Sequence, residues 1–415
     1  MNRLSLSPAA RKAILIGCMC SISYLAVYVA RNILGAVSPQ MISGGAFTTE
    51  SIGTLSSVYF ITYAVGQLIN GSIGDKIPAK YMISFGLVLA GVGNLCFPLC
   101  ADLPFAGYAA YGASGFFLSM IYGPMTKVVA ENTEPIYATR CSLGYTFASF
   151  FGSPSAGILA AFLTWQSVFV TSSAMLLLMG CICFLAFTVF ERRGIIVYGK
   201  YTRRRTGSAS RTEGIRILLR HRIVKFTLIS ILTGVVRTTV VFWLPTYLAQ
   251  HLGFAEDTAA LLFTAATFVI SMTAFVAVFL YERLGRNMDL TIRIAFISSS
   301  AGFLMVFLWK NPALNIAFLI FAIMSSNIAA SMLWSRYCPS LRDTGMVSSA
   351  TGFLDFMSYM AAAASSRLFA SAAHTIGWSG LILVWLVLML AGMAVSFTGC
   401  DAGRKSAPEK GASET

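Results

Sequence analysis

The sequence predicts an all-α membrane protein with twelve transmembrane helices arranged in two six-helix halves. Three observations lead there. Of 415 residues, 57% are hydrophobic and only 11% charged, far from the balance of a water-soluble domain. Apolar stretches of about 20 residues, the length that crosses a bilayer, recur twelve times. An arginine-rich segment divides them six and six.

The stretches lie near 13–37, 53–74, 79–99, 105–128, 141–163 and 166–189, then 224–249, 258–281, 290–309, 311–334, 345–370 and 376–399. The first follows a short basic start (Arg3, Arg11, Lys12), is too long for a signal-peptide core and has no small-residue cleavage site after it. It reads as a retained helix. Basic residues occupy alternate loops: Lys76 and Lys80, Lys127 and Arg140, Arg283, Arg286 and Arg293, Arg336 and Arg342. The intervening loops carry Glu50, Asp102, Trp165, Glu256 with Asp257, Lys310 and His374. The positive-inside rule then places both termini in the cytoplasm. Expected boundaries are 1–190 for the N-terminal half, 191–222 for a basic cytoplasmic loop, 223–400 for the C-terminal half and 401–415 for a disordered tail. Much of the +14 net charge sits in the central loop. Anionic lipid is the simpler partner for it than nucleic acid.

The halves repeat. Stepping forward by 206 positions carries Arg31 to Arg237 and Pro39 to Pro245, so R-x7-P recurs. Asp75 in GSIGDKIPAK and Glu282 in YERLGRN are 207 apart and end the second and eighth helices. An arginine near mid-bilayer costs about 2.5 to 3.5 kcal/mol on insertion scales and almost always faces a bundle interior or a water-filled cavity. Two of them, related by a repeat, point to a midplane binding site. Tyr24, Tyr28 and Arg31 follow i, i+4, i+7 spacing and share one helix face. Guanidinium is a permanent cation with a planar fork of donors suited to phosphate or carboxylate. Two guanidiniums about 10 Å apart repel by about 1.7 kcal/mol at an effective dielectric constant near 20. A bound anion would remove that repulsion and join the halves.

GSIGDKIPAK resembles the loop signature of the major facilitator superfamily, and the residues around Glu282 and Arg283 resemble its degenerate second copy. The resemblance implies a gating latch of Asp75, Lys76, Glu282 and Arg283. Within that superfamily the chain is most similar to the organophosphate:phosphate antiporters, the group of glycerol-3-phosphate and hexose-phosphate exchangers. Tyr24, Tyr28, Arg31 and Pro39, Tyr63, the stretch R-x5-W-x-P-T-Y-L from Arg237 through Trp243, and Tyr359 carry the likeness. It implies that Arg31 and Arg237 grip the anion while the tyrosines line the site. The departures matter as well. Gln67 stands where the family has a lysine, Asn32 where well-known members have a second basic residue, and the fifth helix lacks a histidine.

The function expected is secondary active transport of a small organic anion, whether organophosphate, phosphonate or carboxylate, by alternating access and anion exchange. The alternatives are a transporter-like receptor for an external sugar phosphate and a proton-coupled exporter using Asp355. That residue pairs structurally with Arg367 or another arginine, offsets one arginine of the site, or titrates as a coupling group. Arg31, Arg237 and an ionised Asp355 sum to +1, which would favour a monoanion or zwitterion. Neither a Ser/His/Asp constellation nor a Walker-type loop is present, so an enzyme, a cofactor and a metal are not expected. The expected partners are a small anion and the lipid bilayer, with no nucleic acid, in a monomer of the bacterial inner membrane.

Overall fold

A computed structural model describes residues 7–73, 77–198, 216, 219, 221–341 and 347–398. Apart from residues 216 and 219, the described residues form twelve helical columns. In the first half these are α1 (Pro8–Ser43), α2 (Thr49–Ile73), α3 (Ala79–Leu99), the broken α4 (Pro104–Leu118, then Tyr122–Asn132), α5 (Pro135–Phe162) and α6 (Trp165–Arg192). In the second they are α7 (Ile223–Gly234 and Val241–Gln250 around a π-helical turn, Val235–Val240), α8 (Glu256–Ser271 and Thr273–Arg283), α9 (Met288–Leu308), α10 (Pro312–Met332 with a π turn, Leu333–Tyr337), α11 (Val347–Thr375) and α12 (Gly377–Phe397). Among the described residues, nine helical segments are long and apolar enough on their own to cross a membrane.

Local chemistry sets the ends. Ser7 caps α1 by accepting from the Ala10 N–H, with Pro8 at the first helical position, where a missing N–H is harmless. Thr164 caps α6 and Asn287 caps α9 in the same way. The sequence predicts α4 as one helix, but it breaks at residues 119–121, just before Gly123 and Pro124. Proline has no N–H to donate and disfavours helical backbone at the preceding residue. The break in α8 falls at Met272, beside Ser271, whose hydroxyl donates to the Phe150 carbonyl of α5.

Apolar side chains also cover the outside of the bundle, as a lipid environment requires. Phe85, Val92, Leu185, Phe279 and Val387 are exposed. Several polar residues inside the columns hydrogen-bond between helices. Ser114 donates to Asn94 at 2.8 Å, and Tyr247 donates to Asn315 at 2.6 Å. The first residues of the central loop are tied to α4 through the Val197 N–H and Asn132 Oδ1, 2.8 Å apart. Most of that loop lies outside the described residues, as do Asp75, Lys76 and 401–415.

Helices that start on one face of the bundle end on the other. The face from which α1 begins is here the near face, and its opposite is the far face. Hydrogen bonds joining the two halves lie at mid-depth or toward the far face. Ser38 and Thr246 hydroxyls meet at 2.7 Å, Ser57 donates to the Ala363 carbonyl at 2.6 Å, and Thr264 to the Pro154 carbonyl at 3.3 Å. Two glycines let backbones meet there. A Cβ on Gly53 would stand 2.6 Å from Ala370 Cβ, and one on Gly35 would be 3.0 Å from the Phe242 carbonyl oxygen.

Packing repeats along with sequence. A Cβ on Gly152 of α5 would fall 2.3 Å from Tyr28 Cβ of α1, and a Cβ on Gly234 of α7 would fall 2.1 Å from Ser358 Oγ of α11. Tyr28 and Gly234 are 206 positions apart, and so are Gly152 and Ser358. The same contact therefore occurs in both halves, with the larger residue on opposite partners.

Candidate functional site

Tyr24, Tyr28 and Arg31 do share one face of α1, and that face meets α2, α4, α5 and α11. The Arg31 guanidinium lies over three phenol rings, 5.6 Å from the Tyr28 centroid, 5.3 Å from Tyr63 and 4.8 Å from Tyr359. Its Nη1 donates to the Tyr359 hydroxyl at 2.7 Å. Cation–ring attraction reaches about 2 kcal/mol when the pair is desolvated, so the rings replace part of the water that a buried guanidinium gives up. Among the described residues no carboxylate comes within 4 Å of Arg31.

A second aromatic layer adjoins the first on the near side. Tyr24 packs edge-on against Tyr28 at 4.9 Å and also touches Tyr122 at 5.5 Å and Tyr145 at 6.0 Å. Toward the far face Tyr63 stacks on Tyr59 at 6.2 Å, and Tyr59 on Tyr111 at 5.0 Å. Tyr122 and Tyr145 carry no signal at helical spacing from Arg31, because they belong to α4 and α5. The one hint is that Tyr122 directly precedes the Gly-Pro break.

Arg237 lies half-buried inside the π turn of α7. Such turns insert one extra residue in a helical turn and are frequent at functional sites. Asp355 is one turn before Tyr359 on α11 and also half-buried. It lies within electrostatic reach of Arg237 most strongly and then of Arg31. The same carboxyl acts on Tyr63, Tyr122 and Tyr359. Of the arginines considered as its partner, Arg367 does not pair with Asp355. Twelve helical residues separate them by about 18 Å, and Arg367 instead lines a polar cavity of about 320 Å³ with Glu50, Thr54 and Tyr108.

Gln67 lies one turn beyond Tyr63 and is half-buried, with no hydrogen bond among the described residues. Asn32 turns away from the charge, donating to the Tyr28 carbonyl at 2.6 Å. Glu282 and Arg283 are exposed at the near end of α8, where the Arg283 guanidinium lies 6.0 Å from the Phe279 ring. A firmer contact nearby is Arg336 over the Tyr281 ring at 4.4 Å, which ties α10 to α8. A cavity of about 760 Å³ lies away from the arginines. It lies on the far face between α1, α7 and α8, beside Gln40, Phe254, Glu256 and Asp257. Its acidic rim is unsuited to an anion, so the chemistry of the arginine–tyrosine cluster takes precedence over cavity size.

Two six-helix halves sealed toward one face, with ionisable groups at mid-depth, define a multi-pass membrane transporter of the secondary type. Residues 20–366 match the Major Facilitator Superfamily, and the chain belongs to that family. Curated relatives include the membrane sensor protein UhpC of Escherichia coli, 23% identical over 88% of this chain and 86% of that protein. Another is the phosphoglycerate transporter protein of Salmonella typhimurium, 23% identical over 94% of this chain and 88% of that one. The resemblance to the organophosphate:phosphate antiporter group thus extends along the chain. Among solved structures, a bacterial homologue of the human lysosomal transporter Spinster, inward-facing and unoccupied, superposes with a TM-score of 0.75. It is 12% identical and covers 95% of this chain and 97% of its own. The Escherichia coli xylose transporter XylE, partially occluded and inward open, gives 0.72 at 12% identity over 95% and 100%. These likenesses are of fold alone.

Proposed function

We propose that the chain exchanges small phosphorylated or phosphonylated organic anions across a bacterial inner membrane by alternating access. Arg31 and Arg237 hold the anion from opposite halves. The observation that carries this reading is the placement of Arg31. It is a permanent cation at mid-depth, held by a neutral phenol of the other half, and no carboxylate lies within ion-pair distance among the described residues. Only one of its five N–H donors is engaged by Tyr359, so the fork keeps donors for a ligand.

The near face is cytoplasmic on this reading, as the positive-inside rule requires, and the halves meet toward the outside. The conformation is inward-facing. An anion entering from the cytoplasm binds Arg31 and Arg237 together, offsets their repulsion, and draws α1 toward α7. Gln67, Tyr24, Tyr28, Tyr63 and Tyr359 line its path, Asp355 sets the net charge at +1, and Asp75, Lys76, Glu282 and Arg283 form the cytoplasmic latch. The unit is a monomer with both termini inside.

Purified protein in phosphate-loaded vesicles tests the proposal. Counterflow of external glycerol-3-phosphate, 2-phosphoglycerate or an alkylphosphonate is expected. It should fall at least tenfold in Arg31→Lys or Arg237→Lys, because lysine keeps the charge and loses the fork. No counterflow with any of these anions would overturn exchange. Saturable binding without flux would favour a receptor, a reading supported by the relative named as a membrane sensor.

A further inference from the structure

The layers of the site are ordered along the transport axis, and that order separates two kinds of charge. Arg31 and its bond to Tyr359 mark one level. One helical turn toward the cytoplasm, about 6 Å on α11, stands Asp355. At a similar depth on the first half are Tyr24, Tyr122 and Tyr145, whose ring centroids lie 5.5 to 6.2 Å apart. Tyr122 is 41% exposed, so its ring is open to an entering molecule, while Tyr24 and Tyr145 are buried. No ion pair within 4 Å involves Asp355 among the described residues. An anion-only ligand would leave this carboxylate repelling its tail.

We propose that the substrate carries a cationic amine as well as its phosphate or phosphonate: the anionic group sits between Arg31 and Arg237, and the amine sits against Asp355 and the rings of Tyr24 and Tyr122. Charge arithmetic agrees. The two arginines and one ionised carboxylate sum to +1, and a phosphonate dianion bearing one ammonium sums to −1, so the occupied site is neutral. A short alkyl linker, together with the hydrogen bond at its ammonium end, bridges the roughly 6 Å of one helical turn. Ring faces accept an ammonium through their quadrupole, and Asp355 accepts its hydrogen bonds. This inference rests on the arginine site proposed above and adds a cation subsite to it.

The test compares 2-aminoethylphosphonate with propylphosphonate, which has the same length and no charge at its tail. Binding to the purified protein is measured by calorimetry at neutral pH, for wild type, Asp355→Asn and Asp355→Glu. Wild type should bind the amino compound at least tenfold more tightly. Asp355→Asn should bring that ratio close to one, and Asp355→Glu should retain most of it. Equal or tighter binding of propylphosphonate by the wild type would overturn the cation subsite without needing any variant. So would a preference that persists in Asp355→Asn. If both compounds bind equally and both lose affinity in Arg31→Lys, the arginine site stands and the amine inference alone fails. If neither binds, both fail.

Discussion

Arg31 of α1 and Tyr359 of α11 are joined by a 2.7 Å hydrogen bond although 328 positions separate them. This bond and the ring contact beneath it link the first helix of one half to the fifth helix of the other, at mid-depth in the bundle.

Tyr359→Phe keeps the ring and removes the acceptor. Hydrogen bonds to charged groups contribute about 1.5 to 3 kcal/mol, so the ligand-free protein should melt several degrees lower. The vesicle assay should still report exchange, since the arginine fork is intact. An unchanged melting midpoint would mean that the bond adds nothing to the inward-facing state.

Ser38 and Thr246 hydroxyls touch at 2.7 Å where α1 and α7 close the far face. Ser38→Cys with Thr246→Cys, in a chain whose exposed Cys18 and Cys181 are serine, should form a disulfide on mild oxidation. Flux should then stop while equilibrium binding persists, and reduction should restore flux. Continued exchange in the cross-linked protein would refute closure at this point.

Gly152 leaves no room for a side chain, since its Cβ would meet both Tyr28 Cβ and the Tyr28 carbonyl carbon at under 3 Å. Gly152→Ala should cost about 1 to 3 kcal/mol through forced helix separation. Gly123, with nothing within 4 Å, provides the contrast. Gly123→Ala should be neutral or mildly stabilising. Thermal unfolding of the two variants in one detergent compares them directly.

Lys225 is nearly enclosed and donates to Asp289 at 2.9 Å and to the Ser396 carbonyl at 3.1 Å, binding α7, α9 and α12 together. Asp289→Ala leaves this ammonium buried without its anion. Breaking a buried pair costs about 3 to 5 kcal/mol, but Asp289 is a third exposed, which lowers the expectation to about 2. The double variant Asp289→Ala with Lys225→Met should be more stable than Asp289→Ala alone. Unfolding midpoints in which the double variant is the least stable would contradict this.

Helices were readable in the sequence because lipid imposes length and composition on them. Arg31 and Arg237 were readable because the repeat places one in each half. Contacts between helices were less accessible. Spacing puts Tyr24, Tyr28 and Arg31 on one face, yet it cannot say that Tyr122 and Tyr145 face them from α4 and α5. The π turn around Arg237 leaves no trace in VVRTTV, which would read equally well as ordinary helix. Asp355 and Arg367 were a plausible pair by charge alone, and distance along the helix separates them.

The exchanged bulk at Tyr28 with Gly152 and at Gly234 with Ser358 makes the two halves unlike at one matched contact. In the first half α1 brings the side chain and α5 the bare backbone; in the second α7 brings the bare backbone and α11 the hydroxyl. The internal symmetry is therefore broken where the repeat is otherwise kept, and a substitution accepted on one side has no reason to be accepted at its repeat partner.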